Sequence, residues 1–340
     1  MNHVVTLVPA GRRFTVEPGE SVLDAALRQH ILLPYGCRNG ACGACKARVL
    51  EGEVDPGGEH LSGLTEAERN SGWCLCCQAI PRSDLKLESR EVDRTLPQDI
   101  RTLPARVARM ERLSHDVMAL HLQLPRSERL QFLAGQYIDV LMRDGKRRSF
   151  SLANAPHNDE FLELHIRYYE GAVFAGHVFN TMREKDLLRI RGPYGNFYLR
   201  EPSDRPVLCV AGGTGFAPVK GIIEHALHIG LNRPLALYWG VRSHRDLYLP
   251  EAPLEWIRQR PDWRYVPVYS QPLEADHVDA GTERVGMVHE AILEDFDDLS
   301  GHDVYAGGPP VMVHAVADAC QARGLSAEHI YSDAFEFAPR

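Results

Sequence analysis

The sequence has no apolar run near the roughly 20 residues that a helix needs to cross a lipid bilayer. Its first residues, MNHVVTLVPAGRR, lack the basic and then apolar layout of a secretory signal peptide. It also lacks a basic stripe with interleaved aromatic residues, a pattern typical of nucleic-acid binding. These absences predict a cytoplasmic protein that associates with neither membrane nor nucleic acid.

Catalytic constellations of side chains are missing as well. No Ser-His-Asp pattern, paired carboxylates or histidine-rich metal motif stands out, and the 16 histidines are scattered. A lone histidine such as His165 or His289 is more often structural than catalytic. The chemistry is therefore expected to come from bound groups that the protein positions.

Cysteine is scarce over most of the chain, which has eight in 340 residues. That is too few for a small disulfide scaffold, yet six of the eight lie between Cys37 and Cys77. In a reducing compartment such a group indicates a metal site. Cys209 and Cys320 lie in apolar segments and are expected in the core. The chain is also longer than one core usually supports, so we expect two or three domains.

Charge is distributed unevenly along the chain. Residues 96–200 carry 16 basic and 12 acidic side chains, whereas residues 201–340 carry 11 and 21. A basic centre beside an acidic last third suits an anionic cofactor held in the middle of the chain, although solvated surfaces alone produce the same split.

The first third has the pattern of a small mixed α and β domain. VVTLVP, RRFTV, KARVLEG and DLKLES are predicted as strands, and Ser21 precedes a helix whose apolar residues share one face. A capping box from Thr65 to Glu68 predicts a second, short helix.

The cysteine spacing is the strongest motif in the sequence. Four residues separate Cys37 from Cys42 and two separate Cys42 from Cys45, a spacing typical of plant-type 2Fe-2S clusters. A structural zinc site is the alternative, but zinc usually takes two closely spaced cysteine pairs. Nearby glycines allow the backbone to direct N–H groups at the sulfurs: Gly36, Gly40 and Gly43. Distance from Cys45 does not choose the fourth ligand among three candidates: Cys74, Cys76 and Cys77.

These residues resemble a known family. LPYGCRNGACGACKARVLEGEV followed by CQAIPRSDL resembles a plant-type ferredoxin domain joined to a ferredoxin-NADP-reductase-like module, and the resemblance covers essentially the whole chain. Members include reductase components of bacterial aromatic-ring oxygenases and monooxygenases, and CDP-6-deoxy-glucoseen reductases. In this family the fourth ligand precedes a segment ending in Pro, a residue, Ser or Thr, then Asp, and CQAIPRSD matches it. The resemblance therefore implies Cys77 as the fourth ligand, with Cys74 and Cys76 in the core.

The resemblance also implies a multidomain α+β and α/β fold. The domains expected are a β-grasp ferredoxin domain (1–95), a linker (96–103), an antiparallel β-barrel that binds FAD (104–200) and a parallel-sheet, Rossmann-like NAD(P) domain (201–340). Short alternating strands such as VMALHLQL and LELHIRYY support the barrel. Apolar strands separated by helical stretches support the parallel sheet.

RRSFSLAN resembles the Arg-x-Tyr-Ser flavin motif of the family. The resemblance implies that Arg148 binds pyrophosphate, that Phe150 stacks on the flavin in place of the usual tyrosine, and that Ser151 bonds near its reactive edge. The remaining flavin residues implied are Ser149, His165, Ile166, Arg167 and Gly171. After Gly171 the family usually has Ser or Thr where Ala175 stands, so backbone N–H groups are left to contact the phosphate.

AGGTGFAP follows the first strand of the last third and opens a helix, a place suited to pyrophosphate. The residues implied for the dinucleotide are Gly213, Thr214, Gly215, Gly308 and Pro309. Arg242, assisted by Arg245, is a candidate for reading a 2′-phosphate, but related reductases with arginine here often use NADH, which we expect. Gly307 replaces a family cysteine, so hydride geometry is expected to rest on Thr214 and Pro309. Phe335 matches an aromatic residue that covers the flavin, although a core role is the alternative.

The resulting prediction is an NAD(P)H oxidoreductase with Ser151, Thr214 and Phe335 at the reacting groups. Electrons are expected to pass from NADH, or alternatively NADPH, through FAD and the 2Fe-2S cluster to a protein acceptor that docks near Arg38 and Lys46. We expect a monomer whose acceptor is an iron-dependent oxygenase. The alternatives are the sugar dehydratase of deoxysugar synthesis and, from another class, a non-catalytic redox sensor.

Overall fold

The structure is a computed structural model that describes residues 2–58, 61–89, 99–274, 276 and 278–335. The chain forms two compact units, Met1–Pro97 and Gln98–Arg340. In the described part of the chain, every helix is too short or too polar to cross a bilayer.

The first unit is a mixed sheet with two short helices. Its elements are β1 (His3–Val8), β2 (Arg13–Val16), α1 (Val22–Arg28), β3 (Lys46–Glu51), β4 (Val54–Asp55), α2 (Glu66–Asn70), β5 (Trp73–Leu75), β6 (Ile80–Pro81) and β7 (Leu85–Glu88). The main sheet has the order β2-β1-β7-β3-β5, with β1 and β7 parallel, and β4 pairs with β6. The Ser21 hydroxyl accepts from the Asp24 N–H at 3.1 Å, and the predicted capping box of Thr65 and Glu68 forms. The predicted strands and both helices of this domain are confirmed.

The second unit begins with an antiparallel sheet. Its elements are β8 (Arg101–Arg112), β9 (Val117–Gln123), β10 (Tyr137–Leu141), β11 (Arg147–Ser151), β12 (Leu162–Arg167), α3 (Val173–Asn180) and β13 (Leu187–Tyr194). The order is β11-β10-β13-β8-β9-β12, and a bridge between Leu152 and Leu164 joins the two end strands. Leucine, isoleucine and valine side chains fill the interior. The sequence analysis did not predict α3.

One predicted boundary differs from the structure. β8 begins at Arg101, inside the stretch expected to be a linker, and Arg101, Thr102 and Leu103 pair with β13. Most of the remaining predicted linker lies outside the described residues. Pro104 is accommodated within β8, so a proline next to the predicted linker does not mark the start of the domain.

The last part of the second unit is a parallel sheet with helices. Its elements are β14 (Val207–Gly212), α4 (Phe216–His228), β15 (Leu235–Val241), α5 (Glu251–Gln259), β16 (Arg264–Tyr269), β17 (Arg284–Val285), α6 (Val288–Asp295), β18 (Asp303–Gly308), α7 (Pro310–Ala322) and β19 (Ile330–Ala334). The order β17-β16-β15-β14-β18-β19 confirms the predicted parallel architecture. Chain order reverses beside β14, and in such sheets ligands bind at the carboxyl ends of the strands near that point.

Candidate cofactor sites

The four predicted cluster ligands come together in the first unit. The Cys42 N–H donates to Cys37 Sγ at 3.3 Å, and the Ala44 N–H donates to Cys42 Sγ at 3.4 Å. The hydrogen bond with Cys42 lowers the pKa of Cys37 to about 6, although burial opposes this shift. The pKa of Cys45 is raised by its hydrogen bond with Cys77 and by burial. Two contacting thiol pairs therefore lie next to one another.

The loop fits a 2Fe-2S cluster held by Cys37, Cys42, Cys45 and Cys77. Gly40 and Gly43 have φ of +89° and +74°, in the left-handed region that favours glycine. A Cβ at Gly43 would also lie 3.0 Å from the carbonyl oxygen of Gly63. Backbone N–H groups directed at sulfur stabilise the negative charge that such a cluster brings, so the donor set and its surroundings suit this group.

The other two cysteines of this region pair with each other. Cys74 lies on β5, and both Cys74 and Cys76 are buried. Their thiols are hydrogen-bonded, which lowers the pKa of Cys74 and raises that of Cys76. This placement supports the proposal that they pack in the core while Cys77 serves as the ligand.

An acceptor was expected to dock on the surface near Arg38, but the Arg38 side chain is buried. Its side chain is only 6% exposed, and its guanidinium lies 3.0 Å from the Asp24 carboxylate. Lys46 is partly exposed but pairs with Glu68 at 2.6 Å. Arg38 is therefore a buried support of the cysteine loop, and an acceptor docking there would not contact its side chain.

The predicted flavin strand is β11. Arg148 is half-buried, and its Nη1 donates to the Arg147 carbonyl at 3.0 Å. Phe150 packs on Phe174 of α3 with ring centroids 5.2 Å apart, so part of its ring faces the core of the antiparallel sheet. Ser149 donates to a buried aspartate at 2.7 Å. The structure thus confirms the strand but gives Phe150 a packing role that the sequence did not predict.

The segment after Gly171 forms α3, whose first turn has no side-chain cap. Gly171 has φ of +84°, which a turn before the helix requires. The first N–H groups of a helix have no intrahelical partner, so an uncapped start suits a phosphate oxygen. Ala175 is buried and offers no hydroxyl. The backbone contact expected from the sequence therefore fits.

His165 and Ile166 both have buried side chains. The His165 ring has hydrogen-bond partners at both nitrogens, Glu163 at 2.8 Å and Tyr248 at 3.0 Å. Ile166 is 1% exposed. Both side chains therefore have internal partners, and the flavin contact implied by the resemblance stays a prediction.

Arg167, two residues further along β12, reaches the glycine turn. Its Nη1 lies 2.8 Å from where a Cβ of Gly213 would stand, and its Nε lies 3.2 Å from an Asp116 carboxylate oxygen. Its Nη2 is buried without a hydrogen-bond partner among the described residues. A buried, unsatisfied cationic N–H is costly, so this position suits an anionic cofactor group.

The glycine turn packs directly against the end of β18. A Cβ at Gly215 would stand 2.0 Å from the Gly307 carbonyl oxygen, and one at Gly307 would stand 2.9 Å from the Gly215 oxygen. This contact leaves little room for a side chain at position 307. Thr214, next to Gly215 in the chain, is half-buried, and Gly308 has φ of +149°. Gly215 and Gly307 are therefore needed for backbone approach as well as for any ligand.

The carboxyl end of β18 also meets the last described strand. The Phe335 N–H donates to the Gly308 carbonyl at 3.2 Å, beside Pro309, and Phe335 is half-buried. Asp333 of β19 is buried and accepts from the Ser151 hydroxyl at 2.6 Å. Asp333 was not among the site residues predicted from the sequence. An aspartate in the apolar strand HIYSDAF was the available signal, because a buried carboxylate needs a partner.

Arg242 and Arg245 follow β15 and are both exposed. The loop after β16 places Asp276 beside His244, and its carboxylate accepts from the Leu273 N–H at 2.9 Å and the His244 N–H at 3.3 Å. These backbone bonds, with the charges of His244 and Arg245, lower the pKa of Asp276. A carboxylate thus lies near Arg245, which was predicted to assist Arg242 in reading a 2′-phosphate.

Three known domain families match the chain in sequence order. A 2Fe-2S iron-sulfur cluster binding domain matches residues 5–82, an oxidoreductase FAD-binding domain matches 104–198, and an oxidoreductase NAD-binding domain matches 209–318. With the cysteine loop and the parallel sheet already described, these matches define the class: an iron–sulfur flavoprotein that is an NAD(P)H oxidoreductase.

Similarity to individual proteins extends over the full length. The CDP-6-deoxy-L-threo-D-glycero-4-hexulose-3-dehydrase reductase of Yersinia pestis is 38% identical over 97% of this chain and 98% of that protein. Reductase component 1 of the terephthalate 1,2-dioxygenase of Comamonas sp is 34% identical over 100% and 99%. The crystal structure of the Amycolatopsis cytochrome P450 reductase GcoB is 35% identical, with a TM-score of 0.80 and 98% of both chains covered. The chain belongs to this family of electron-transfer reductases, which join a 2Fe-2S ferredoxin domain to FAD- and NAD-binding domains.

Proposed function

We propose that the protein is the reductase component of an oxygenase system and passes electrons from NADH to an iron-dependent oxygenase. When bound, NADH supplies a hydride, FAD takes up its two electrons, and the 2Fe-2S cluster passes them on singly. A protein acceptor is established by the family, and the likeness to reductases of a dioxygenase and a cytochrome P450 supports an oxygenase. Because both oxidoreductase domains match, the alternative of a non-catalytic sensor is dropped.

The chain's own residues would divide the binding work as follows. Cys37, Cys42, Cys45 and Cys77 would hold the cluster. Arg148 and the uncapped start of α3 would bind the flavin phosphates, with Ser151 near the reacting edge. Arg167 and the turn at Gly213, Thr214 and Gly215 would bind the dinucleotide. A Cβ added at Gly215 would stand 2.0 Å from the Gly307 carbonyl oxygen, and this close packing supports a turn whose shape is held rigidly by its neighbours.

A second acceptor has a specific observation in its favour. The relative from Yersinia pestis is named as the reductase of a sugar 3-dehydrase and is 38% identical over nearly the whole chain. The decisive experiment is anaerobic affinity capture of the full chain from its native cells, followed by mass spectrometry and reconstitution with the captured protein. NADH-dependent turnover with a captured oxygenase is expected. Turnover only with a captured sugar dehydrase would replace the first proposal by the second.

We also propose that the domains lie at 1–95, 104–200 and 201–340, with the flavin domain extended back to Arg101. The pairing of Arg101, Thr102 and Leu103 with β13 supports this extension. A fragment of residues 98–340 should therefore retain FAD and unfold at a higher temperature than a fragment of residues 104–340. Equal stability of the two would place the boundary at Pro104.

A further inference from the structure

Four polar side chains meet inside the second unit, between the antiparallel and parallel sheets. Glu163 and His165 come from β12, Lys220 comes from α4, and Tyr248 lies after β15. His165 Nε2 is 2.8 Å from Glu163 Oε1, and His165 Nδ1 is 3.0 Å from the Tyr248 hydroxyl. Lys220 Nζ is 3.1 Å from Glu163 Oε2. We call these four residues the seam cluster.

The seam cluster is expensive to bury. The side chains of Lys220 and Glu163 are only 12% and 15% exposed, and His165 is fully enclosed. Burial raises the pKa of Glu163, but the hydrogen bond and charge of His165 and the charge of Lys220 outweigh it and lower the pKa to about 2. Replacing buried ion pairs by apolar groups is often neutral or stabilising, so stability alone does not account for such a cluster.

The cluster connects to the glycine turn through aromatic rings. The Tyr248 ring meets Trp239 edge-on at 5.3 Å and Phe216 at 5.9 Å, and those two rings stack at 3.7 Å. Trp239 Nε1 donates to the Gly213 carbonyl at 3.0 Å. Arg167, on the same side of β12 as His165, approaches Gly213 from the other direction. Two routes therefore tie β12 to this turn.

Lys220 makes the same connection through the helix that follows the turn. Its Nζ also donates to the Ala153 carbonyl at 3.2 Å, beyond the end of β11. At the next residue, a Cβ at Gly221 would lie 3.0 Å from the Asn154 carbonyl oxygen. Helix α4 therefore closely approaches the backbone of residues 101–200, the flavin-binding half of this unit. The second turn of α4 is thus held against β12 and against the segment that follows β11.

We propose that the seam cluster positions the Gly213–Gly215 turn against the flavin-binding half and thereby sets the rate of hydride transfer. Its members are positioning residues, because they act through Trp239 and α4. The proposal rests on the dinucleotide role proposed for the turn and is independent of the acceptor. Polar bonds suit this task, since they fix direction where apolar packing tolerates sliding.

The test compares Tyr248→Phe with Tyr265→Phe in the FAD-loaded full chain. Tyr265 is a matched control, since its buried hydroxyl has no hydrogen-bond partner among the described residues. With NADH and ferricyanide, Tyr248→Phe should lower kcat about tenfold with KM for NADH within about twofold, because small misplacements slow transfer more than binding. Hydrogen exchange at residues 213–216 should accelerate. The control should match wild type in both measurements.

A second pair guards against a folding defect. Lys220→Met should reproduce the loss of kcat and the faster exchange. Lys220→Arg should match wild type in both measurements. Unchanged kcat or unchanged exchange in Tyr248→Phe and Lys220→Met, whatever their melting temperatures, would overturn the positioning role. The turn itself is checked separately: NAD⁺ should protect residues 213–216 from exchange in wild type. Absence of that protection would refute the turn's dinucleotide role instead.

Discussion

Ser151 and Asp333 are hydrogen-bonded at 2.6 Å although they lie 182 residues apart in sequence. The bond joins the end of the flavin strand β11 to β19 of the parallel sheet. The Asp333 carboxyl oxygen accepts this bond, so Asp333 holds the Ser151 hydroxyl in one orientation. The predicted catalytic serine therefore depends on a carboxylate from the other sheet.

Replacing the Asp333 carboxyl group by an amide should slow the flavin step. Asp333→Asn keeps the size of this buried side chain but weakens the bond, so stopped-flow flavin reduction by NADH should slow about tenfold. Ser151→Ala should slow it at least as much. Ser332→Ala, one residue away on the opposite side of β19, should leave the rate near wild type. A normal rate in Asp333→Asn would show that the orientation of Ser151 is unimportant.

The cluster ligands can be separated from the neighbouring cysteines. Cys77→Ser should abolish or severely destabilise the visible 2Fe-2S spectrum and cytochrome c reduction, while NADH-driven ferricyanide reduction survives. Cys74→Ser and Cys76→Ser should keep the spectrum and both activities, since these two thiols are hydrogen-bonded to each other. A normal cluster in Cys77→Ser together with a lost one in either control would mean that the fourth ligand is misassigned.

The glycine turn offers a steric prediction. Gly215→Ala would place a methyl group 2.0 Å from the Gly307 oxygen, so the backbone must shift at a cost of about 1–3 kcal/mol. Urea unfolding of the second unit should show this loss, and KM for NADH should rise. A Cβ at Gly301 meets nothing within 4 Å, so Gly301→Ala is the control. Equal behaviour of the two variants would contradict the close approach.

Arg242 is the residue that we expect to sense the 2′ position of the coenzyme. If this exposed arginine reads a 2′-phosphate, Arg242→Ala should raise KM for NADPH far more than for NADH. Asp276→Asn should have the reverse effect on preference, because it removes a negative charge beside Arg245. Steady-state kinetics with both coenzymes check this. An equal change with NADH and NADPH would show that these side chains do not sense the 2′ position.

A group of three histidines should make the stability of the fold depend on pH. His157 stacks on His228 at 3.6 Å and lies 6.3 Å from His225, which contacts Glu201. Burial and then the charges of His228 and His225 lower the pKa of His157. The unfolded chain therefore binds more protons just below the ordinary histidine pKa of about 6.5, so stability is lost as pH falls through that value.

His157→Gln should remove part of this loss. Its melting temperature should fall less than that of wild type between pH 8 and pH 5.5, whereas Asn158→Gln in the same loop should follow wild type. Parallel curves for wild type and His157→Gln would rule out a contribution from this stack.

Most of the fold and the cysteine site could be predicted from local patterns in the sequence. The capping residues Ser21 and Thr65 and the ligand spacing within Cys37–Cys45 all act over a few residues, which is why they could be predicted. Contacts between side chains that lie far apart in the sequence could not be predicted. His165 is satisfied by Tyr248, 83 residues away, and nothing near His165 announces that contact. Phe150 likewise packs on Phe174 of a helix that no pattern predicted.

The contact between Gly215 and Gly307 restricts how this chain can be altered, in evolution or by design. A cysteine introduced alone at position 307 would bring its Cβ 2.9 Å from the Gly215 oxygen, so the turn would have to withdraw first. A thiol at this place therefore requires a small shift of the turn or of the end of β18, so substitutions in the two segments depend on each other.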